Sequence, residues 1–127
     1  MHVAIPCIAL LGLLLFGLGL AVSLKRGNVN TIIGHSNDPA DPLYKLVRAH
    51  GNTAEYAPLL AVLMLALAST EPPAWALWCM GIATAARYLF AAGMLLSPTL
   101  AKPHPLRFVG ALGTYLMGVA MSVGLLV

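Results

Sequence analysis

Hydrophobic positions along the chain fall into four long runs separated by short polar interruptions. The first run, about 3–24, is built on LLGLLLFGLGL and ends at Lys25-Arg26. A polar connector follows, GNVNTIIGHSNDPADP, with two X-Pro steps and three asparagines that mark a loop. The second run, about 43–69, begins with polar residues on one side and becomes uniformly apolar. Glu71-Pro72-Pro73 stops it. The third run, about 74–96, ends before Ser97-Pro98 and the turn Lys102-Pro103-His104-Pro105. The fourth, about 106–127, carries Gly110, Gly113, Gly118 and Gly124, small residues that let membrane helices approach closely. A spanning helix needs about 20 apolar residues. The pattern therefore predicts a single all-α domain over residues 1–127, an integral membrane four-helix bundle.

Composition supports this reading. Hydrophobic residues make up 60% of the 127, charged residues 9%, and the mean hydropathy is +0.88. So little charge would not keep a domain in water. The first run could pass for a secretory signal, but it lacks a positive n-region and is longer than a typical apolar signal core of about 7–15 residues. The net charge of +3 comes with no basic face interleaved with aromatics, which argues against a nucleic-acid partner. Cys7 and Cys79 lie inside apolar runs and read as small buried hydrophobes. His35, His50 and His104 have no metal-site spacing and read as solvated histidines near the connectors. No metal is expected.

Charge placement predicts orientation. Lys25, Arg26 and Lys45 flank the first connector and Lys102 and Arg107 the third. The second holds Glu71. The positive-inside rule puts connectors one and three in the cytoplasm and both termini outside. Arg48 and Arg87 lie within runs and need another explanation.

On a helix, Asn52 and Glu55 fall at about 40° and −20° from Arg48, so the three share one face. A charged stripe facing lipid costs several kcal/mol, so this face must meet protein or water. Counting helical rise, Arg87 and Glu55 reach similar depth, about 14 Å or more from the cytoplasmic side. That suggests a wet, charged cavity between spans two and three. Bland alternatives remain: a Glu55–Arg87 ion pair fixing register, a snorkelling Arg48, an interhelical bond from Asn52, and Tyr56 and Tyr88 as packing or interface residues. Two arginines facing one glutamate leave positive charge over, which an anionic ligand would use. A zwitterionic thiol peptide such as glutathione suits the set: arginines for carboxylates, Glu55 for the ammonium, Asn52 for an amide, and a nearby cation to favour the thiolate.

The pattern Arg48-x3-Asn52-x2-Glu55-Tyr56-x-Pro58 resembles the signature of the MAPEG superfamily, the membrane-associated proteins of eicosanoid and glutathione metabolism. Further points of likeness are the basic end of span one, the long first connector, Arg87 on span three, and Arg107 opening span four ahead of Gly110 and Thr114. The short bacterial members are the most similar. The resemblance implies a homotrimer in the bacterial inner membrane that binds glutathione as cosubstrate between subunits. It puts Arg48, His50, Asn52, Glu55, Tyr56 and Arg87 at binding positions and Arg26 close to the ligand. Arg26, Lys102 and Arg107 are the candidates for stabilising the thiolate. The implied activity is glutathione transfer to a lipophilic electrophile arriving from the bilayer, or reduction of a lipid hydroperoxide. Phe90 and Met94 depart from the pattern, standing where polar ligand contacts are expected. They favour the alternative, a non-catalytic bundle that keeps its polar network for structure, small-anion binding or partner docking. A small multidrug transporter fits less well, because span one carries no acidic residue.

Overall fold

The computed structural model of the protein, described over residues 1–126, contains four helices: α1 (Ala4–Asn28), α2 (Pro42–Ala68), α3 (Ala74–Leu96) and α4 (Pro105–Gly124). All four are long and apolar enough to cross a membrane. Their bounds differ from the sequence expectation mainly at two ends. Helix α1 runs on through Lys25 and Arg26, which lie in its last turn, where cations complement the negative end of the helix dipole. Helix α4 stops at Gly124; the expected end of span four, Val127, lies outside the described residues.

Two helix starts lie inside segments read as turns. Asp41 accepts a hydrogen bond from the Tyr44 amide at 2.8 Å, with Pro42 at the first helical position. His104 caps α4 through Nδ1, which accepts from the Leu106 amide at 3.3 Å, with Pro105 next. Proline there loses nothing, because that amide has no partner within the helix. Lys45 Nζ donates to the Ser97 carbonyl at 3.1 Å, and the Leu100 amide donates to Pro39 at 2.9 Å. Connectors one and three are thus tied together at one end of the bundle, the basic end. The α2–α3 connector and the start of α1 form the opposite end.

Helices α3 and α4 pack most closely, because glycines remove the side chains that would separate them. A Cβ on Gly110 would lie 2.5 Å from the Phe90 amide nitrogen and 2.7 Å from the Ala86 carbonyl oxygen, and one on Gly93 would lie 2.7 Å from the Arg107 nitrogen. The main core joins Cys7 and Leu11 of α1, Leu60 and Met64 of α2, Met80 and Ala83 of α3, and Met121 of α4. Cys7 and Cys79 are buried there as free thiols. Phe16, Leu13, Trp78 and Val119 remain largely exposed. In a bilayer such residues face lipid.

The α3–α4 contact gives a test. Gly110→Ala forces backbone apart and should cost about 1–3 kcal/mol, the usual range for overpacking, lowering the thermal unfolding midpoint in detergent. Gly12→Ala on α1, whose Cβ would meet nothing within 4 Å, should hold the midpoint or raise it slightly, since alanine favours a helix interior over glycine.

Candidate functional site

The polar stripe of α2 straddles the boundary between the core and the outside. Ala49, Thr53, Ala57, Leu60 and Met64 recur every three or four residues and form its buried face. Arg48 and Glu55 lie on the exposed face, and Asn52 and Tyr56 sit half-buried between the two. The three residues expected to share one face are therefore neighbours along the helix but meet different surroundings.

Arg87 is the fixed point of the site. It projects from α3 and is only 1% exposed. Its Nη2 donates to Asn52 Oδ1 at 2.7 Å. The guanidinium carbon lies 5.2 Å from the Tyr56 ring centre and 4.9 Å from that of Phe90, so it meets two aromatic faces. Its Nε is buried without a partner. Matching depth brings Arg87 to Asn52 rather than to Glu55, so the sealed ion pair envisaged from the sequence is replaced by an arginine–amide bond. This bond also orients the Asn52 amide. With Oδ1 taken, its NH2 group remains to donate elsewhere.

The cavity at the site differs from the expected one. It lies between α2 and α4, not between α2 and α3, and it is mainly apolar. It measures about 450 Å³ and is lined by Leu59, Leu60, Leu63 and Val119, with Glu55, Tyr56 and Tyr115 among its polar groups. The Tyr56 hydroxyl lies 3.4 Å from the Tyr115 hydroxyl, with ring centres 5.7 Å apart. Sequence reasoning missed Tyr115. The available signal was the Thr114-Tyr115 pair of hydroxyls midway along a mostly apolar α4, about 15 Å from its start, as Tyr56 is midway along α2, about 21 Å from its start.

The other candidates are dispersed. Arg107 Nη1 donates to the carbonyls of Leu100 at 3.3 Å and Lys102 at 3.0 Å, bracing the third connector. Lys102 is exposed. Arg26 is half-exposed at the end of α1, its Nε buried and unpaired, beside a recess that also takes Ser23, Asn30 and Thr31. All three stand at the basic end, but helix α1, which carries Arg26, does not pack on α4, which carries Arg107. His50 is half-buried against α1, where a Cβ on Gly19 would lie 3.2 Å from its Nε2.

Three sequence expectations need correction. Met94 is 5% exposed and packs with Leu18 of α1 and Ala49 of α2, so it is a core residue rather than part of a ligand face. Phe90 supports Arg87. The histidines are not simply solvated: His104 caps α4, His50 packs on Gly19, and the His35 ring meets Tyr44 edge-on at 4.8 Å. Tyr88 donates its hydroxyl to the Leu10 carbonyl at 2.8 Å and links α3 to α1. No cluster of three or more metal-ligating side chains occurs among the described residues.

The Arg87–Asn52 contact can be measured by a double-mutant cycle. Asn52→Leu removes a hydrogen bond from a buried guanidinium and should cost about 1.5–3 kcal/mol, the range for bonds to charged groups. The same change made on Arg87→Met should cost about 1 kcal/mol or less, because no charge is left uncompensated. Equal costs in both backgrounds, read from unfolding in detergent, would show that the two side chains are not coupled.

Comparison with known proteins supplies one match. The family model described as the MAPEG family matches residues 3–127. No curated protein and no solved structure matches the chain. The match spans essentially the whole sequence, and all four membrane helices lie within it: the chain belongs to the MAPEG family.

Proposed function

We propose that the protein is a glutathione-dependent membrane transferase, with peroxidase-type reduction of lipid hydroperoxides as the related activity of the same site. The carrying observation is the Arg87–Asn52 bond set beside an open Arg48 and Glu55. A buried cation holds the Asn52 amide so that its NH2 group can donate to a ligand carbonyl. Arg48 offers a planar pair of donors to a carboxylate, and Glu55 offers an acceptor to an ammonium. Arg87 contributes as a positioning residue, since it is too deeply buried to meet a ligand directly.

The apolar cleft below Glu55 and Tyr56 suits the lipophilic partner. Its volume of about 450 Å³ lies within the usual range for small-molecule sites, about 300–1,000 Å³. The thiol would enter from the basic end and the electrophile from the bilayer. The thiol proton would leave to water, and the thiolate sulfur would attack the electrophilic carbon, expelling a leaving group as its anion or, at an activated alkene, breaking the π bond so that the carbanion takes a proton from water. With a hydroperoxide the thiolate would take the terminal oxygen and release the alcohol, and a second glutathione would reduce the resulting sulfenic acid to disulfide and water. The family resemblance favours a homotrimer in a bacterial inner membrane with the basic end in the cytoplasm. In such a trimer the exposed face of α2, with Arg48 and Glu55, would be completed by side chains of a second copy.

One observation favours a second reading, a non-catalytic bundle. Arg107 is occupied by two backbone carbonyls, and Lys102 is not a bidentate substitute for an arginine.

Activity and binding together separate the two. For the transferase, millimolar glutathione should raise the unfolding midpoint of the purified protein, since a ligand that binds the folded form stabilises it. Arg48→Ala should lower kcat/KM with a chromogenic electrophile by about 10-fold or more, the loss of one charge-assisted contact. No midpoint shift with glutathione, together with equal rates for Arg48→Ala and the parent, would favour the inert bundle.

A further inference from the structure

The end of the bundle away from the basic connectors holds a second polar recess that the proposed chemistry does not use. It measures about 460 Å³ and is lined by Leu67, Thr70, Glu71, Pro73, Trp75, Gly124 and Leu125. Its electrostatics favour a cation. Glu71 is the one Asp or Glu between Glu55 and the C-terminus, and no Lys or Arg lies between Arg48 and Arg87. Helices α2 and α4 both end here, and neither has a basic residue in its last turn. The positive starts of α1 and α3 lie at the same end, so the helix dipoles largely offset one another and Glu71 supplies the net negative side-chain charge. The Thr70 hydroxyl in the wall of the recess donates to the Leu67 carbonyl at 2.8 Å. Its oxygen lone pairs remain free to accept. The start of α3 also opens here and favours the negative charge of Glu71, yet no side chain caps it, so the carboxylate is not taken up by a capping bond.

Trp75 supplies the remaining wall. A tryptophan at a membrane surface is ordinarily an anchor, and Trp78, 73% exposed, fits that role. Trp75 is held differently. A Cβ on Gly124 would lie 2.5 Å from its ring carbon Cη2, so the ring is seated against the end of α4 and only the absent side chain makes room for it. At 44% exposure, part of the ring stays open to the recess. A carboxylate, free hydroxyl lone pairs and an open indole form a combination that recognises an ammonium group. The recess lies at the end of the spans, at headgroup depth, where lipid ammonium groups are concentrated.

We propose that this recess binds the ammonium headgroup of a membrane phospholipid, such as phosphatidylethanolamine, with Glu71 as the charge partner and Trp75 as the cation–π face. The site is separate from the glutathione reading and does not depend on it.

Native mass spectrometry of the delipidated full chain tests this. Phosphatidylethanolamine and phosphatidylglycerol, matched in acyl chains, are added at equal concentration, with free ethanolamine in a parallel arm. The expected result is preferential retention of phosphatidylethanolamine. Glu71→Gln or Trp75→Leu should cut that retention by about tenfold, the factor that 1.4 kcal/mol carries. Asp38→Asn, on the first connector, should leave it unchanged. Circular dichroism confirms that each variant is folded, and Glu71→Gln alone decides the matter if Trp75→Leu is not. Three results would overturn the proposal: equal retention of the two lipids, undiminished retention by Glu71→Gln, or free ethanolamine displacing the lipid at matched concentration. The first would also be the outcome if the chain's own Met1 ammonium, at the same end of the bundle, fills the recess.

Discussion

A guanidinium buried at the depth of a bilayer interior must be compensated, and the arrangement around Arg87 shows how this chain does it. A charge there costs several kcal/mol unless protein groups replace water. Asn52 supplies a short hydrogen bond from α2, and Tyr56 and Phe90 supply aromatic faces from α2 and α3. These contacts fix the rotation of α2 against α3. The rotation in turn decides which α2 side chains point inward and which remain open. Arg48 and Glu55 are exposed because Asn52 and the Ala49–Thr53–Ala57 row are committed to the core.

The same constraint assigns different tasks to residues that look alike in the sequence. Of the arginines, Arg87 positions, Arg107 braces a connector through two carbonyls, and Arg48 stays free. Only a free guanidinium can offer its full fork to a carboxylate. Phe90 and Met94 both stand where a polar side chain is expected, yet their tasks differ. Phe90 lends its ring face to Arg87, and Met94 fills the core between α1 and α2. The proposed chemistry therefore rests on fewer side chains than a motif suggests.

The two ends of the bundle have opposite electrostatic character. Lys25, Arg26, Lys45, Lys102 and Arg107 lie at one end, and Glu71 at the other, where no Lys or Arg side chain stands. Small residues make both ends possible. Gly93 and Gly110 let α3 and α4 touch backbone to backbone near the basic end, and Gly124 admits Trp75 at the opposite end.

Hydropathy runs and prolines by themselves determined four spans, their approximate limits and the polar stripe on α2, because backbone groups in lipid must be satisfied within helices. The spacing of Arg48, Asn52, Glu55 and Tyr56 was enough to place the chain in its family. Partners were not legible. Whether Arg87 meets Glu55 or Asn52, whether Met94 faces a ligand or the core, and whether His50 and His104 are solvated or engaged all turn on how one helix is rotated about its axis against another. A few tens of degrees separate these outcomes, and periodicity along a single helix carries no record of its neighbour's rotation. Tyr115 escaped notice for the same reason: only the packing of α4 on α2 brings its hydroxyl to Tyr56.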